Sequence, residues 1–147
     1  MFKKRIITVL SIGMLLIITG CIVSPALQDY HYDVSEGYVL MRASPNIIVI
    51  QPKERSEEYR VRIEAKVAEI CWDERYTIVK QYELDANKKP DPERMNLWIL
   101  DAQEHVLHGP FNEEELAEKR KELNISEDLV LKDVDDYPRA ETVWPEE

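Results

Sequence analysis

Residues 61–82 read Val-Arg-Ile-Glu-Ala-Lys-Val-Ala-Glu-Ile-Cys-Trp-Asp-Glu-Arg-Tyr-Thr-Ile-Val-Lys-Gln-Tyr, and this stretch decides the fold class. Val61, Ile63, Ala65 and Val67 alternate with Arg62, Glu64 and Lys66, the period-two pattern of a strand with one wet face. The parity then changes, and Ala68, Ile70 and Trp72 become the apolar set. One extra residue at Val67 or Ala68 accounts for the change, so the spacing predicts a bulge or a strand break there. Asp73-Glu74 reads as a turn, and residues 76–82 as the returning partner strand.

The same pattern repeats on both sides. Residues 37–42 (GYVLMR) and 47–50 (IIVI) read as strands around a Ser44-Pro45-Asn46 turn, with Pro52 closing the second. Residues 53–59 are charged and read as a loop. Residues 97–100 (LWIL) are a buried-strand signature, residues 101–104 a turn, and residues 105–108 the return, ended by Gly109-Pro110. Residues 83–94, with Pro90, Pro92 and Asn87, read as a loop between the two hairpins. Residues 129–131 read as a short last strand.

One helix is expected at about 112–124. Asn112 is a good N-cap, Glu115 completes a capping box, and Phe111 with Leu116 forms a hydrophobic staple. Glu113, Glu114 and Glu115 open it and Lys119, Arg120 and Lys121 close it, matching the helix dipole. Asn124 can take the left-handed conformation that ends a helix, with Ile125 folding back. The sum is an α+β domain: an antiparallel β-meander of five to seven strands with one covering α-helix. No βαβ pattern is visible, so a parallel sheet is not expected.

Charge narrows the functional classes. The 147 residues hold 19 Lys+Arg and 29 Asp+Glu, a formal charge of −10. Without residues 1–20, which hold Lys3, Lys4 and Arg5 and no acid, the balance is 16 against 29, or −13 over 127 residues. Such a body does not seek phosphate backbones, so no nucleic-acid partner is expected, and it should be repelled by anionic headgroups. A hydrophobic content of 44% is ordinary for a folded domain.

The first twenty residues carry an address. A basic start (residues 1–5) precedes an apolar run over residues 6–18, then Thr19-Gly20 and Cys21, the layout of a secretory signal. Ile18-Thr19-Gly20-Cys21 resembles the lipobox of bacterial lipoproteins. The resemblance implies a thioether-linked diacylglycerol on Cys21 and cleavage that makes Cys21 the first residue. Two acyl chains suffice for stable anchoring. The alternative is an uncleaved anchor, because the uncharged run extends to Gln28. Both readings put the body on the outer, extracytoplasmic face of the cell membrane. The expected organisation is a signal peptide over 1–20, a tether over 21–36, a single globular β-rich domain over 37–134 and an acidic tail over 135–147. The Asp29-Tyr30-His31-Tyr32-Asp33 cluster at the tether's end is a candidate start of the fold.

Candidate chemistry is sparse. Cys71 is flanked by Glu69, Asp73 and Glu74, which disfavour a thiolate, and reads as a small residue on the less apolar face. His105 and His108 lie three apart in an expected strand and so face opposite sides, with only His31 left as a third ligand. Asp133, Asp135 and Asp136 resemble half a calcium loop, but Pro138 and Trp144 stand where Gly and Glu are needed. Asp73, Glu74 and Asp101 are candidate paired carboxylates, each at a turn where Asp is favoured for its own backbone bonds. Trp72 and Trp98 are expected in the core, and Tyr30, Tyr32 and Tyr38 cluster near the tether. No catalytic, cofactor-binding or metal residue is therefore assigned, and no cofactor is expected. The one assigned modification is on Cys21.

Asp29-Tyr30, Gly37-Tyr38-x-Leu40-x-Arg42, residues 67–73 (VAEICWD) with Tyr76 and Lys80, Trp98-Ile-Leu-Asp101, Gly109-Pro110 and Leu123-x-Ile125 form an ordered set over residues 29–134. In order and spacing the set resembles a small family of uncharacterised lipoproteins from Gram-positive bacteria. The resemblance implies location and fold and transfers no site. The expected function is that of a membrane-anchored, non-enzymatic domain that binds a protein partner or organises the envelope. The alternatives are an immunity or inhibitor lipoprotein against a basic toxin or lytic enzyme, and a small ligand-binding or hydrolytic domain using Asp73 or Asp101.

Overall fold

The computed structural model describes residues 30–54 and 61–137. The signal segment 1–20, Cys21, the first part of the tether, most of the 53–59 loop and the tail beyond Tyr137 lie outside the described residues.

Among the described residues, eight strands form two antiparallel sheets. The smaller holds β1 (Tyr30–Asp33), β2 (Tyr38–Ser44) and β3 (Ile47–Pro52), in that order. The larger holds β4 (Val67–Trp72), β5 (Tyr76–Leu84), β6 (Pro90–Asp101), β7 (Val106–Phe111) and β8 (Lys132–Asp133), in the order β7-β6-β5-β4-β8. Helix α1 (Glu113–Glu122) follows β7. The meander thus holds from β4 to β7, and β8 returns past the helix to the free edge of β4.

Alternation along the strands, broken once at Ala68, gives the large sheet two apolar faces. Val67, Ile70, Val79 and Leu100 pack with Tyr38, Leu40, Ile48 and Ile50 of the small sheet. On the other face Cys71, Ile78, Leu97 and Ile99 pack beneath Leu116 and Ile125. The central strands therefore bury both sides, which is why they read as near-continuous apolar runs. Cys71 sits on the helix-covered face and is buried, not on a poorer face as expected. Trp72 and Trp98 are half-buried at the margin of the core rather than inside it.

The parity change is a bulge. Val67 pairs with Gln81 and Glu69 with Lys80, so Ala68 is the extra residue, and Val67 stays on the face of Ile70. Upstream the alternation is right but the ladder is nearly absent. Ile63 is buried and exchanges backbone bonds with Ile50 at 2.9 and 3.0 Å, and this bridge is isolated.

Three local expectations change. The 83–94 loop is mostly strand, with only residues 85–89 between β5 and β6. Pro90 opens β6 opposite Leu84, Pro92 lies where the β5–β6 register shifts, and β7 pairs β6 only from Leu97 onward, so neither proline sits in a strand laddered on both sides. β7 does not end at Gly109: it runs to Phe111 through a bulge in which Gly109 has φ +126°. Finally, residues 129–131 are not a strand; Lys132–Asp133 pairs with Glu69 and Ile70 instead.

The helix follows its sequence signals. Asn112 Oδ1 accepts from Glu115 N at 2.9 Å, and Glu115 Oε2 accepts from Asn112 N at 2.8 Å. At the other end Asn124 has φ +55°, Ile125 N donates to Arg120 O and Asn124 N to Lys121 O, a Schellman closure.

The folded part starts earlier and ends later than 37–134. β1 belongs to the segment expected as tether. After a short 3₁₀ turn (Val134–Asp136), Tyr137 packs its ring 4.8 Å from that of Trp72 and donates its hydroxyl to Ile70 O at 2.8 Å. Val134 lies in the core.

Candidate functional site

Three turns meet at one end of the two sheets: residues 34–37 between β1 and β2, 73–75 between β4 and β5, and 102–105 between β6 and β7. Their backbones are tied together. Glu36 N donates to Glu74 O at 3.0 Å, and Ala102 N to Arg75 O at 2.8 Å. Ser35 Oγ and Thr77 Oγ1 share a hydrogen bond of 2.5 Å in full burial. The Tyr38 hydroxyl lies 3.3 Å from His105 Nδ1.

Asp73 and Asp101 shape these turns. Asp73 Oδ1 accepts from the backbone of Arg75 at 2.8 Å and of Tyr76 at 2.7 Å, holding the chain reversal after β4. Asp101 Oδ1 accepts from Gln103 N and Glu104 N at 3.1 and 3.2 Å. Arg75 adds a bidentate pair, with Nε 3.1 Å from both carboxylate oxygens and Nη2 2.7 Å from Oδ2. Its guanidinium also lies over the Tyr76 ring at 4.9 Å.

Burial pushes the Asp101 carboxyl up, but the Arg75 bond and the Glu104 and Gln103 N–H groups outweigh it and hold the carboxyl below its ordinary range. General acid catalysis needs the opposite, a carboxyl raised toward neutrality. The arrangement can instead present charge on a fixed frame. Glu36, Asp73, Glu74 and Glu104 are exposed around the pinned turns, which suits a cationic partner surface.

Elsewhere the candidates separate. His31 lies on β1, His105 in a turn with φ +53°, and His108 on β7. Among the described residues no three His, Cys, Asp or Glu side chains are grouped to hold a metal ion. Cys71 is pushed up to about 11 by burial, with Asp73 adding to the shift and Arg120 opposing it. Asp133 Oδ1 caps Asp135 N, and Asp135 pairs with Arg42 at 2.9 Å. Tyr38 is fully buried, and Tyr32 donates to Tyr137 O at 3.2 Å. A shallow groove of about 290 Å³ runs beside α1, lined by Leu116, Ala117, Arg120, Lys121 and Ile125.

Sequence reading found Asp73 and Asp101 but missed Arg75, Ser35 and Thr77. Nothing in the local pattern of Arg75 marks it as the partner of a residue twenty-six positions on. Only the pairing of Tyr76 with Asp101 across β5 and β6 brings them together.

No helix among the described residues is long and apolar enough to cross a membrane. No curated protein and no solved structure matches the chain. A family model does match residues 35–135, a span that holds all but the first residue of the three turns, and its description is protein of unknown function (DUF3997). With more than half its length inside that match, the chain belongs to the DUF3997 family.

Proposed function

We propose that this chain is a lipoprotein of the Gram-positive kind, anchored through diacylglycerol on Cys21 at the outer face of the cell membrane, and that its domain binds a protein partner without catalysing a reaction. The observation that carries the binding reading is the three-turn end. Its central acid, Asp101, is committed to Arg75 and to two backbone N–H groups, while four acids around it stay exposed. Rigid scaffolds that hold loops at one end commonly use those loops for recognition. The anchor reading rests on the Ile18-Thr19-Gly20-Cys21 motif.

Two measurements test it. Intact mass of the protein purified from membranes should give a chain starting at Cys21 with two acyl chains. A species starting at Met1 without lipid would overturn the anchor. Pull-down from membrane extract at several salt concentrations should recover a specific partner through the exposed acids. Recovery unchanged by Glu36→Lys with Glu74→Lys would overturn the three-turn end as the binding surface.

A second reading is favoured by the same acids: an immunity or inhibitor lipoprotein that neutralises a basic toxin or lytic enzyme. Acidic steering would give fast, salt-sensitive association. Deletion of the gene should then raise sensitivity to one such agent, and unchanged sensitivity across a panel would remove this reading. A hydrolytic role for Asp73 or Asp101 gains no support from a lowered Asp101 carboxyl.

A further inference from the structure

The two ends of the strand stack differ in charge and in where the chain joins them. Tyr30, the first residue of β1, pairs with Arg42, which pairs with Ile48 next to the β2–β3 turn. The chain therefore joins the domain near its hairpin-tip end, opposite the three turns. Asn46 on the β2–β3 tip donates from Nδ2 to Lys88 O on the β5–β6 tip at 3.2 Å, so the two tips form one surface.

At its apex that surface presents two exposed lysines and a partly exposed isoleucine against a single acid, Asp85. Ile47 is 37% exposed, and Lys88 and Lys89 are exposed. Asp85 turns its carboxylate inward onto Asn87 N and Lys89 N at 2.8 and 2.9 Å. Lower on the stems Arg94 pairs with Glu83 and Asp91, and Glu93 is the exposed acid nearby. At the far end stand Glu36, Asp73, Glu74 and Glu104. The tip end is thus close to charge balance with its two lysines outermost, while the three-turn end is acidic.

We propose that the hairpin-tip end is a contact surface for anionic lipid headgroups, with Ile47 seated among them and Lys88 and Lys89 on their phosphates, and that the three-turn end faces outward. This rests on the anchored reading above. Chain length lets either end reach the bilayer, since nine residue steps from Cys21 to Tyr30 reach at most about 32 Å, so the point of entry and the charges decide. Turning the three-turn end to the bilayer would send the tether back along β2, about 20 Å, and bring four exposed acids to an anionic surface. Basic side chains near such a surface each strengthen contact by roughly fivefold at low salt.

The test uses the full lipidated chain in vesicles of 30% phosphatidylglycerol in phosphatidylcholine. A fluorescent label is placed on Ala86→Cys or on Gln103→Cys, both exposed positions at opposite ends, and a headgroup-borne quencher reports proximity. The Ala86 label should be quenched at least threefold more than the Gln103 label. The difference should shrink in 0.5 M salt and in Lys88→Glu with Lys89→Glu. Equal or reversed quenching in vesicle-bound protein overturns this inference and leaves the anchor standing. Protein that does not float with the vesicles overturns the anchor and this inference together.

Discussion

Arg75 closes its guanidinium on the buried carboxylate of Asp101, with Nη2 2.7 Å from Oδ2 and the Asp101 side chain only 3% exposed. The same carboxylate caps the 102–105 turn through Gln103 N and Glu104 N. One residue thus couples the β4–β5 turn to the β6–β7 turn.

Asp101→Ala should cost about 2 kcal/mol of stability, because charged hydrogen bonds and two turn N–H partners are lost at a buried site. Arg75→Ala should cost less, since its head is 39% exposed and water replaces part of the bond. Urea unfolding of both variants checks the order. Loss of less than about 0.5 kcal/mol in Asp101→Ala would contradict a structural role.

The same pair sets an acid limit. The folded Asp101 carboxyl is lower than the ordinary 3.8, so its contribution is present above that value. It is lost as the pH falls through the lowered folded value. The wild type should therefore lose stability in strong acid relative to Asp101→Asn, and the two should run parallel above pH about 5. Asp85 is also lowered, mainly by the Lys89 N–H, and is common to both proteins. Melting temperatures over pH 2–7 decide it; parallel curves throughout would remove the linkage.

Cys71 should be inert in the folded protein. Burial among Ile78, Leu97 and Ile99 keeps the thiol protonated up to about 11. At pH 8 iodoacetamide should label Cys71 in urea but not in the native protein, as read by peptide mass mapping. Native labelling within minutes would show that the helix-covered face opens readily.

Much of the fold was legible because its signals are local. The 61–72 parity change announced the Ala68 bulge, and Asn112 with Glu115 announced the helix start. The anchored calcium-like acids at Asp133 and Asp135 proved to be a cap and an ion pair. What stayed hidden depends on distant partners. Lys132 and Asp133 have no strand pattern of their own, and β8 exists because β4 has a free edge beside them. Residues 83–94 look like a loop because Pro90 and Pro92 are usually barred from sheets, and only the stretch of β6 that β7 does not reach admits them. At the candidate site, Asp101 was visible as a turn residue, but its burial and its bond to Arg75 come from the β5–β6 register.

Tyr137 should act as the clasp between the two sheets. Its ring stacks near Trp72, its hydroxyl reaches Ile70 O, and its carbonyl accepts from Tyr32 on the small sheet. Tyr137→Ala should cost about 2 kcal/mol, below the range for a fully buried ring because Tyr137 is half-buried. Tyr137→Phe keeps the ring and loses one hydrogen bond, about 1 kcal/mol. Denaturation midpoints should fall in that order, and Trp72 emission should shift to the red in Tyr137→Ala. An unchanged midpoint in both variants would mean that the C-terminal segment does not hold the sheets together.

Gly109 is the position where a single methyl group should do the most damage for its size. Its φ of +126° lies where side chains are strained, and a Cβ there would stand 2.8 Å from Leu97 O and 3.0 Å from the Trp98 ring. Neither neighbour can yield freely: Leu97 O belongs to the β6 backbone, and Trp98 is fixed by its Nε1 bond to Gln81 Oε1 at 2.7 Å. Gln81 in turn donates to Glu64 O at 2.9 Å, so relief at Trp98 would travel to the chain segment before β4. Strain of about 1–3 kcal/mol and the contact penalty should add. Gly109→Ala should therefore unfold at clearly lower urea than the wild type, by more than Asn112→Ala, whose lost cap costs about 1 kcal/mol. Because the bulge at Gly109 lets β7 run on to Phe111 and deliver the chain to α1, the helix should loosen with it. Hydrogen exchange at Leu116 and Ala117 should quicken in Gly109→Ala before global unfolding. Exchange that stays at the wild-type rate would show that the bulge and the helix are not coupled.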